Sequence, residues 1–169
     1  MRAPVMSSTT SKPDPVGAPD AYGPNEGGEV RAEQTFRAYI EAFNRSDVSG
    51  LAALYAADAV FLNPFSPEPL TTRDAIRAFI SPMFEAYSDM TAEVDELLAD
   101  ADRAAARLTI RARHTGELRR PGGAVAATGR TVEMRTAEFL RVEPGGLIVG
   151  HERIFDTSPV LAQLGLDTG

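Results

Sequence analysis

Cysteine is missing from this 169-residue chain, which removes a disulfide framework, a thiol nucleophile and a thiolate metal site at once. Histidine occurs only at His114 and His151, too far apart for a zinc-ligand spacing, so no metal site is expected. Lysine is confined to Lys12, and with a net charge of −7 and a pI near 4.9 the chain lacks the basic surface that neutralises phosphates. Nucleic acid is therefore not an expected partner. No apolar run approaches the roughly 20 residues of a membrane span, and the amino-terminal stretch has no hydrophobic segment of a secretory type. A cytoplasmic protein without a membrane partner is the expectation. Large apolar residues are also scarce over Met1–Gly28, which is rich in proline, serine and glycine. Such a stretch buries too little to offset its ordering entropy, so it reads as a disordered tail. Residues 29–169 then form one domain, long enough to bury a substantial core.

From Glu29 a pattern begins. Phe36, Tyr39, Ile40 and Phe43 fall on one helical face, predicting a helix that Asn44-Arg45-Ser46-Asp47 ends. Asp47 suits the cap of a short second helix, whose inner face would be Leu51, Leu54 and Tyr55. Asp58 to Pro64 reads as a short extended segment, and Pro67 and Pro69 prolong the loop after it. Thr71-Thr72-Arg73-Asp74 has the form of a capping box. The helix it opens carries Ile76, Phe79, Ile80, Met83, Phe84 and Tyr87 in phase, with a kink or break expected at Pro82.

The rest is strand-rich, over about 90–99, 103–115, 130–142 and 147–156. Glu117 to Thr128 reads as a long connection, and Glu143-Pro144-Gly145-Gly146 as a hairpin turn. Helices followed by an antiparallel sheet predict an α+β layout, a curved sheet wrapped around the helices with a pocket between the layers.

Several polar residues stand where apolar ones would be expected. His114 shares a face with Leu108, Ile110 and Ala112. Glu138 is in phase with Val132, Met134, Leu140 and Val142, a costly place for a charge unless it is paired or lines a wet cavity. On the last strand His151 and Arg153 share one face, and Glu152 and Asp156 the other, so only one pair can face inward unless a bulge intervenes. Asn63, before Pro64, can donate to a substrate oxygen or simply form a turn. Tyr39 and Tyr55 belong to the core, with hydroxyls that could reach a pocket.

The run Phe43-Asn44-Arg45-Ser46-Asp47, continuing from Leu51 to Phe61, resembles the opening of the nuclear transport factor 2-like superfamily. His114-Thr115-Gly116-Glu117-Leu118, Thr128-Gly129-Arg130-Thr131-Val132, and Asp156 with Gln163-Leu164-Gly165-Leu166 resemble its SnoaL-like polyketide cyclase branch. The resemblance covers Glu29 to Leu166 and implies a cone-shaped pocket, a polycyclic or polyketide-like small-molecule substrate and a homodimer. It also implies an aldol-type ring closure without metal or cofactor, using an acidic residue as general acid and base. On this pattern Asp156 is the first candidate and His114 the second, with Glu138, His151, Glu152, Arg153, Asn63, Tyr39 and Tyr55 as substrate-binding candidates. Capping of the segment after it is an equally good explanation of Asp156.

The chain departs from the branch at Glu152, where an aromatic residue usually follows the histidine. Epoxide hydrolases of the same fold resemble it in Phe61-Leu62-Asn63-Pro64 and Ile154-Phe155-Asp156. Their two aspartates, however, fall at Arg113 and Arg153. An epoxide-opening enzyme and a ligand-binding module without chemistry are the alternatives to a cyclase or isomerase.

Overall fold

The computed structural model describes residues 31–120 and 123–166; the proposed tail, Met1–Gly28, lies outside them. Helix α1 (Arg31–Asn44) buries Phe36, Tyr39, Ile40 and Phe43, the face that the periodicity marks. Asp47 caps α2 (Val48–Ala53) by accepting from the Gly50 amide at 2.8 Å. That helix ends sooner than its apolar spacing suggests. Tyr55 opens strand β1 (Tyr55–Leu62) instead of completing the helical face, and is buried there.

Helix α3 (Arg73–Ala86) starts at Thr72, whose hydroxyl accepts from Ala75 N, and runs through Pro82 without a break. Proline removes one helical hydrogen bond. Here Pro82 and Ala78, the residue whose carbonyl loses its partner, are both exposed, so water can take the bond. Tyr87, in phase with the helix, in fact begins strand β2 (Tyr87–Ala99).

Strands β3 (Arg103–His114), β6 (Thr131–Val142) and β7 (Ile148–Ile154) complete a five-stranded sheet of order β1-β7-β6-β3-β2. All neighbours are antiparallel except β1, which runs parallel to β7. The expected Glu117–Thr128 connection contains a small hairpin, β4 (Leu118–Arg120) with β5 (Gly123–Val125). Register shifts in β2 between Ser88 and Thr91 and between Val94 and Glu96 bend that strand, because an unpaired residue sharpens local twist. The sheet curves without closing, and α1, α2 and α3 fill its concave side with the core.

Two side-chain amides dock helices onto sheet backbone. Asn44, at the end of α1, donates to Ala92 O at 3.1 Å and accepts from Ala92 N at 2.6 Å. Helix α4 (Thr157–Leu164) takes over beside β6 where β7 stops: Gln163 accepts from Glu133 N at 2.8 Å and donates to Glu133 O at 3.0 Å. Gly165 ends α4 with φ of +77°, a conformation that glycine adopts without steric cost. Among the described residues no helix is long and apolar enough to cross a membrane.

Candidate active site

The register of β6 and β7 decides which pair on the last strand faces inward. Glu138 lies opposite Arg153 and Leu140 opposite His151, so His151 and Arg153 point into the core while Glu152 and Ile154 point out. On the other side β1 sets Phe61 beside His151. The two rings stack at 4.3 Å with 18° between their planes.

Around Glu138, which is fully buried, the polar groups satisfy one another. Its Oε1 accepts from Arg153 Nε at 2.6 Å and from the Thr136 hydroxyl at 2.9 Å, and its Oε2 lies 2.6 Å from His151 Nε2. The opposite ring nitrogen, His151 Nδ1, lies 2.6 Å from the Tyr55 hydroxyl. Arg153 Nη2 donates to the Tyr39 hydroxyl at 3.0 Å. A buried charge needs this density of partners, since an unpaired one costs several kcal/mol.

The protonation states follow from the surroundings. Burial alone would raise the Glu138 carboxyl, but the Arg153 charge and the His151 bond outweigh it and hold it below its ordinary value. Burial lowers His151 more than Glu138 raises it. At neutral pH the imidazole is therefore neutral beside a carboxylate. Its Nε2 carries the proton donated to Glu138, and Nδ1 accepts from Tyr55. The Glu138–His151 contact is a hydrogen bond, while Glu138–Arg153 is the ion pair, with Arg153 raised further by its partner against the opposing effect of burial. Burial pushes Tyr39 up to about 12 and Tyr55 well above its ordinary value, so both stay hydroxyls.

A cavity of about 40 Å³ lies in front of this cluster. Tyr39, Tyr55, Asn63 and Arg153 are its polar lining, and Phe43, Phe61, Phe79 and Met134 are among its apolar walls. Glu138 and His151 stand behind that lining, reaching it through Arg153 and Tyr55. Asn63 is nine-tenths buried, and its Oδ1 accepts from Phe65 N at 2.9 Å. Its turn role and its position on the cavity therefore coexist.

The remaining candidates lie elsewhere. Asp156 is exposed and caps α4, accepting from Ser158 N at 2.9 Å; it is not among the residues lining this cavity and makes no hydrogen bond to the cluster among the described residues. His114 is fully buried but apart from the cavity. Its Nδ1 lies 3.0 Å from the Thr128 hydroxyl and accepts from Thr128 N at 3.2 Å, while Nε2 has no partner among the described residues. Glu152 is exposed on the outer face. Arg113 is exposed and bonded to Gly129 O, and Arg153 is held by Glu138, so neither position offers the carboxylate that epoxide hydrolysis would need. Sequence reasoning missed the relay from Glu138 through His151 to Tyr55, although it had picked out all three residues. It also gave Phe61 no role, and only the pairing of β1 with β7 reveals one. Among the described residues no cluster of three or more His, Asp or Glu suits a metal ion.

A curved open sheet around three helices, with buried acid–base groups at the head of an enclosed cavity, defines a nuclear transport factor 2-like protein. More narrowly, residues 36–151 match the SnoaL-like domain, and the chain belongs to that family. It is similar to IdmH of Streptomyces antibioticus, a proposed polyketide cyclase, at 31% identity and a TM-score of 0.65, over 80% of this chain and 99% of that one. AclR of Streptomyces galilaeus, a proposed hydroxylase, is 28% identical with a TM-score of 0.67, over 79% and 80%. The fold also matches RV0760c of Mycobacterium tuberculosis, solved with estradiol-17beta-hemisuccinate, at 20% identity and a TM-score of 0.62, over 78% and 98%. No curated protein matches the chain.

Proposed function

We propose that the protein is a cofactor-independent acid–base enzyme that closes or isomerises a ring on a polyketide-derived small molecule. The observation that carries this reading is the Tyr55–His151–Glu138 relay, which ends in a hydroxyl on an apolar cavity. An aldol closure needs a base for a carbon-bound proton, donors for the enolate oxygen and an acid for the new alkoxide. Tyr55 can take the substrate proton on its oxygen while passing its own to His151 Nδ1, so no phenolate forms. Glu138 stabilises the resulting imidazolium and keeps the ring oriented, as the carboxylate does in a Ser-His-Asp triad. Tyr39, Asn63 and Arg153 supply donors for the enolate oxygen. After the carbon–carbon bond forms, the proton returns along the same path to the alkoxide, and the enzyme ends as it began. Asp156 and His114 have no part in this scheme.

A cavity of about 40 Å³ holds little more than a few waters, whereas ligand pockets run to several hundred cubic ångströms. Substrate entry therefore requires α3 to move outward. Phe79, Ile80, Met83 and Phe84 are its cavity-lining residues, and all are only partly buried.

The family resemblance to dimers is supported by one row across the convex face, Leu62–Glu152–Phe139–Ala105–Leu98. Within that row Leu98 is 66% exposed and Phe139 45%. A two-fold pairing centred on β3 would cover them while leaving the β1–β7 edge, with Glu152, open. Light scattering on the purified chain should give twice the monomer mass, and a monomer at all concentrations would remove the proposal.

The activity is tested by incubating the protein with polyketide ring-closure intermediates and epoxides in ¹⁸O-labelled water. Conversion without added cofactor or incorporated ¹⁸O supports ring closure. Incorporation of ¹⁸O would mean hydrolysis, and saturable binding with every compound returned intact would make the protein a binding module.

A further inference from the structure

Outside the cavity, between the 63–69 loop and the end of β7, lies a groove of about 390 Å³. Asn63 and Arg153 line both spaces. The loop is a preformed wall. Phe61 and Leu70 exchange two backbone bonds across its base, at 2.8 and 3.0 Å, and Ser66 N donates to Asn63 O at 2.8 Å within it. Pro64, Pro67 and Pro69 fix φ along it.

At the junction two donors are free. Asn63 is oriented by the Phe65 amide, which occupies its oxygen and leaves Nδ2 without an acceptor among the described residues. Arg153 spends Nε on Glu138 and Nη2 on Tyr39, and Nη1 has no acceptor among those residues. Both side chains are at least nine-tenths buried. The groove beyond them is acidic, for Glu68 and Glu152 line it and neither forms an ion pair among the described residues. Acids elsewhere on the sheet, Glu93, Asp95, Glu96 and Glu133, each face an arginine. Arg153 does not balance the groove, because Glu138 already neutralises it.

We propose that cavity and groove are two chambers of one site whose ligand bears a cationic amine. With α3 moved outward, the apolar ring portion occupies the enlarged cavity, a ligand oxygen accepts from Asn63 Nδ2 and Arg153 Nη1 at the junction, and the amine lies between Glu68 and Glu152. A cleft lined by one sign of charge concentrates the opposite sign. This rests on the acid–base reading only in taking the cavity as the ring chamber.

Three probes of one shape separate the two ideas: 4-phenylbutylamine, 4-phenylbutanol and 4-phenylbutanoate, titrated calorimetrically into the full chain at low salt. The amine should bind about fivefold more tightly than the butanoate, as expected for two partly screened carboxylates. In the Glu68→Gln/Glu152→Gln double variant that ratio should fall to about one, while the alcohol binds as before. Equal or tighter binding of the butanoate to the wild type overturns the proposal, and so does an amine preference that survives in the double variant. If the alcohol binds and charge makes no difference, the cavity reading stands and only the acidic chamber falls. If none of the three binds, both fall.

Discussion

His114 and His151 sit in similar sequence settings, each on the inward face of a long strand and each removed from solvent. Their surroundings divide them. Both nitrogens of His151 are engaged, one by a carboxylate that is itself ion-paired and the other by a hydroxyl on the cavity. For His114 only Nδ1 is engaged among the described residues, by one exposed threonine, and the Tyr87 ring stands 5.2 Å away. Burial lowers both imidazoles. On the proposed mechanism, what sets His151 apart is therefore the carboxylate behind it and the proton path in front. A desolvated histidine alone has neither.

The comparison can be broken hardest at Tyr55. Tyr55→Phe keeps the ring and removes the proton carrier, so turnover should fall by about 10²–10⁴-fold, the usual worth of a positioned acid–base group. Stability should drop by about 1–3 kcal/mol, because the buried Nδ1 of His151 loses its donor. Tyr87→Phe, the equivalent change beside His114, should leave kcat unaltered. Comparable losses of kcat in the two variants would mean that the relay does not carry the proton.

In Glu138→Gln the buried Arg153 is left without its counter-charge, which should cost about 3–5 kcal/mol in urea unfolding. His114→Leu should cost about 1 kcal/mol or less. It deletes an unpartnered donor, and the exposed Thr128 amide can turn to water. If Glu138→Gln also cost under about 1 kcal/mol, the cluster would have to be far wetter than its burial implies.

Acidification sharpens the contrast in a different way. A histidine whose folded pKa lies below its unfolded value of about 6.5 leaves the unfolded chain binding more protons between the two values, so stability declines as pH falls through that window. Both imidazoles contribute in this direction. Glu138, also lowered, adds a further loss below its unfolded value of about 4.5. His114→Leu should flatten part of the stability decline just below pH 6.5 without moving the acid limb of kcat, which follows His151. A shift of that limb in the variant would bring His114 into the chemistry.

How far the sequence could be read depended on whether a residue's environment is local. The face of α1 was legible from Phe36, Tyr39, Ile40 and Phe43, because helix periodicity is set within a few turns. Glu138 was legible as a misplaced charge by alternation along a single strand. Its partners were not. Alternation places His151 with Arg153 but cannot say which way they point, and only the register of β6 on β7 does that. Tyr55 misled for a related reason. Its helical spacing after Leu51 is real, but α2 stops at Ala53 and the pairing of β1 with β7 outweighs local pattern. The Gln163 and Asn44 side chains, both within the motifs that carried the resemblance, each supply the missing neighbour of an unpaired stretch of strand backbone.

The smallest expected effect concerns Asp156, the acid that family resemblance favoured and geometry places on the surface. As the cap of α4 it accepts from Ser158 N, and asparagine caps about as well as aspartate while alanine does not. Asp156→Asn should therefore change neither stability nor turnover, whereas Asp156→Ala should lose about 1 kcal/mol and still turn over at the wild-type rate below its melting temperature. The pair separates capping from catalysis because asparagine keeps the hydrogen bond and discards the ionisable carboxyl. A well-folded Asp156→Asn protein with turnover reduced as strongly as in Tyr55→Phe would move the acid–base group to the rim of α4 and make the buried relay a purely structural cluster.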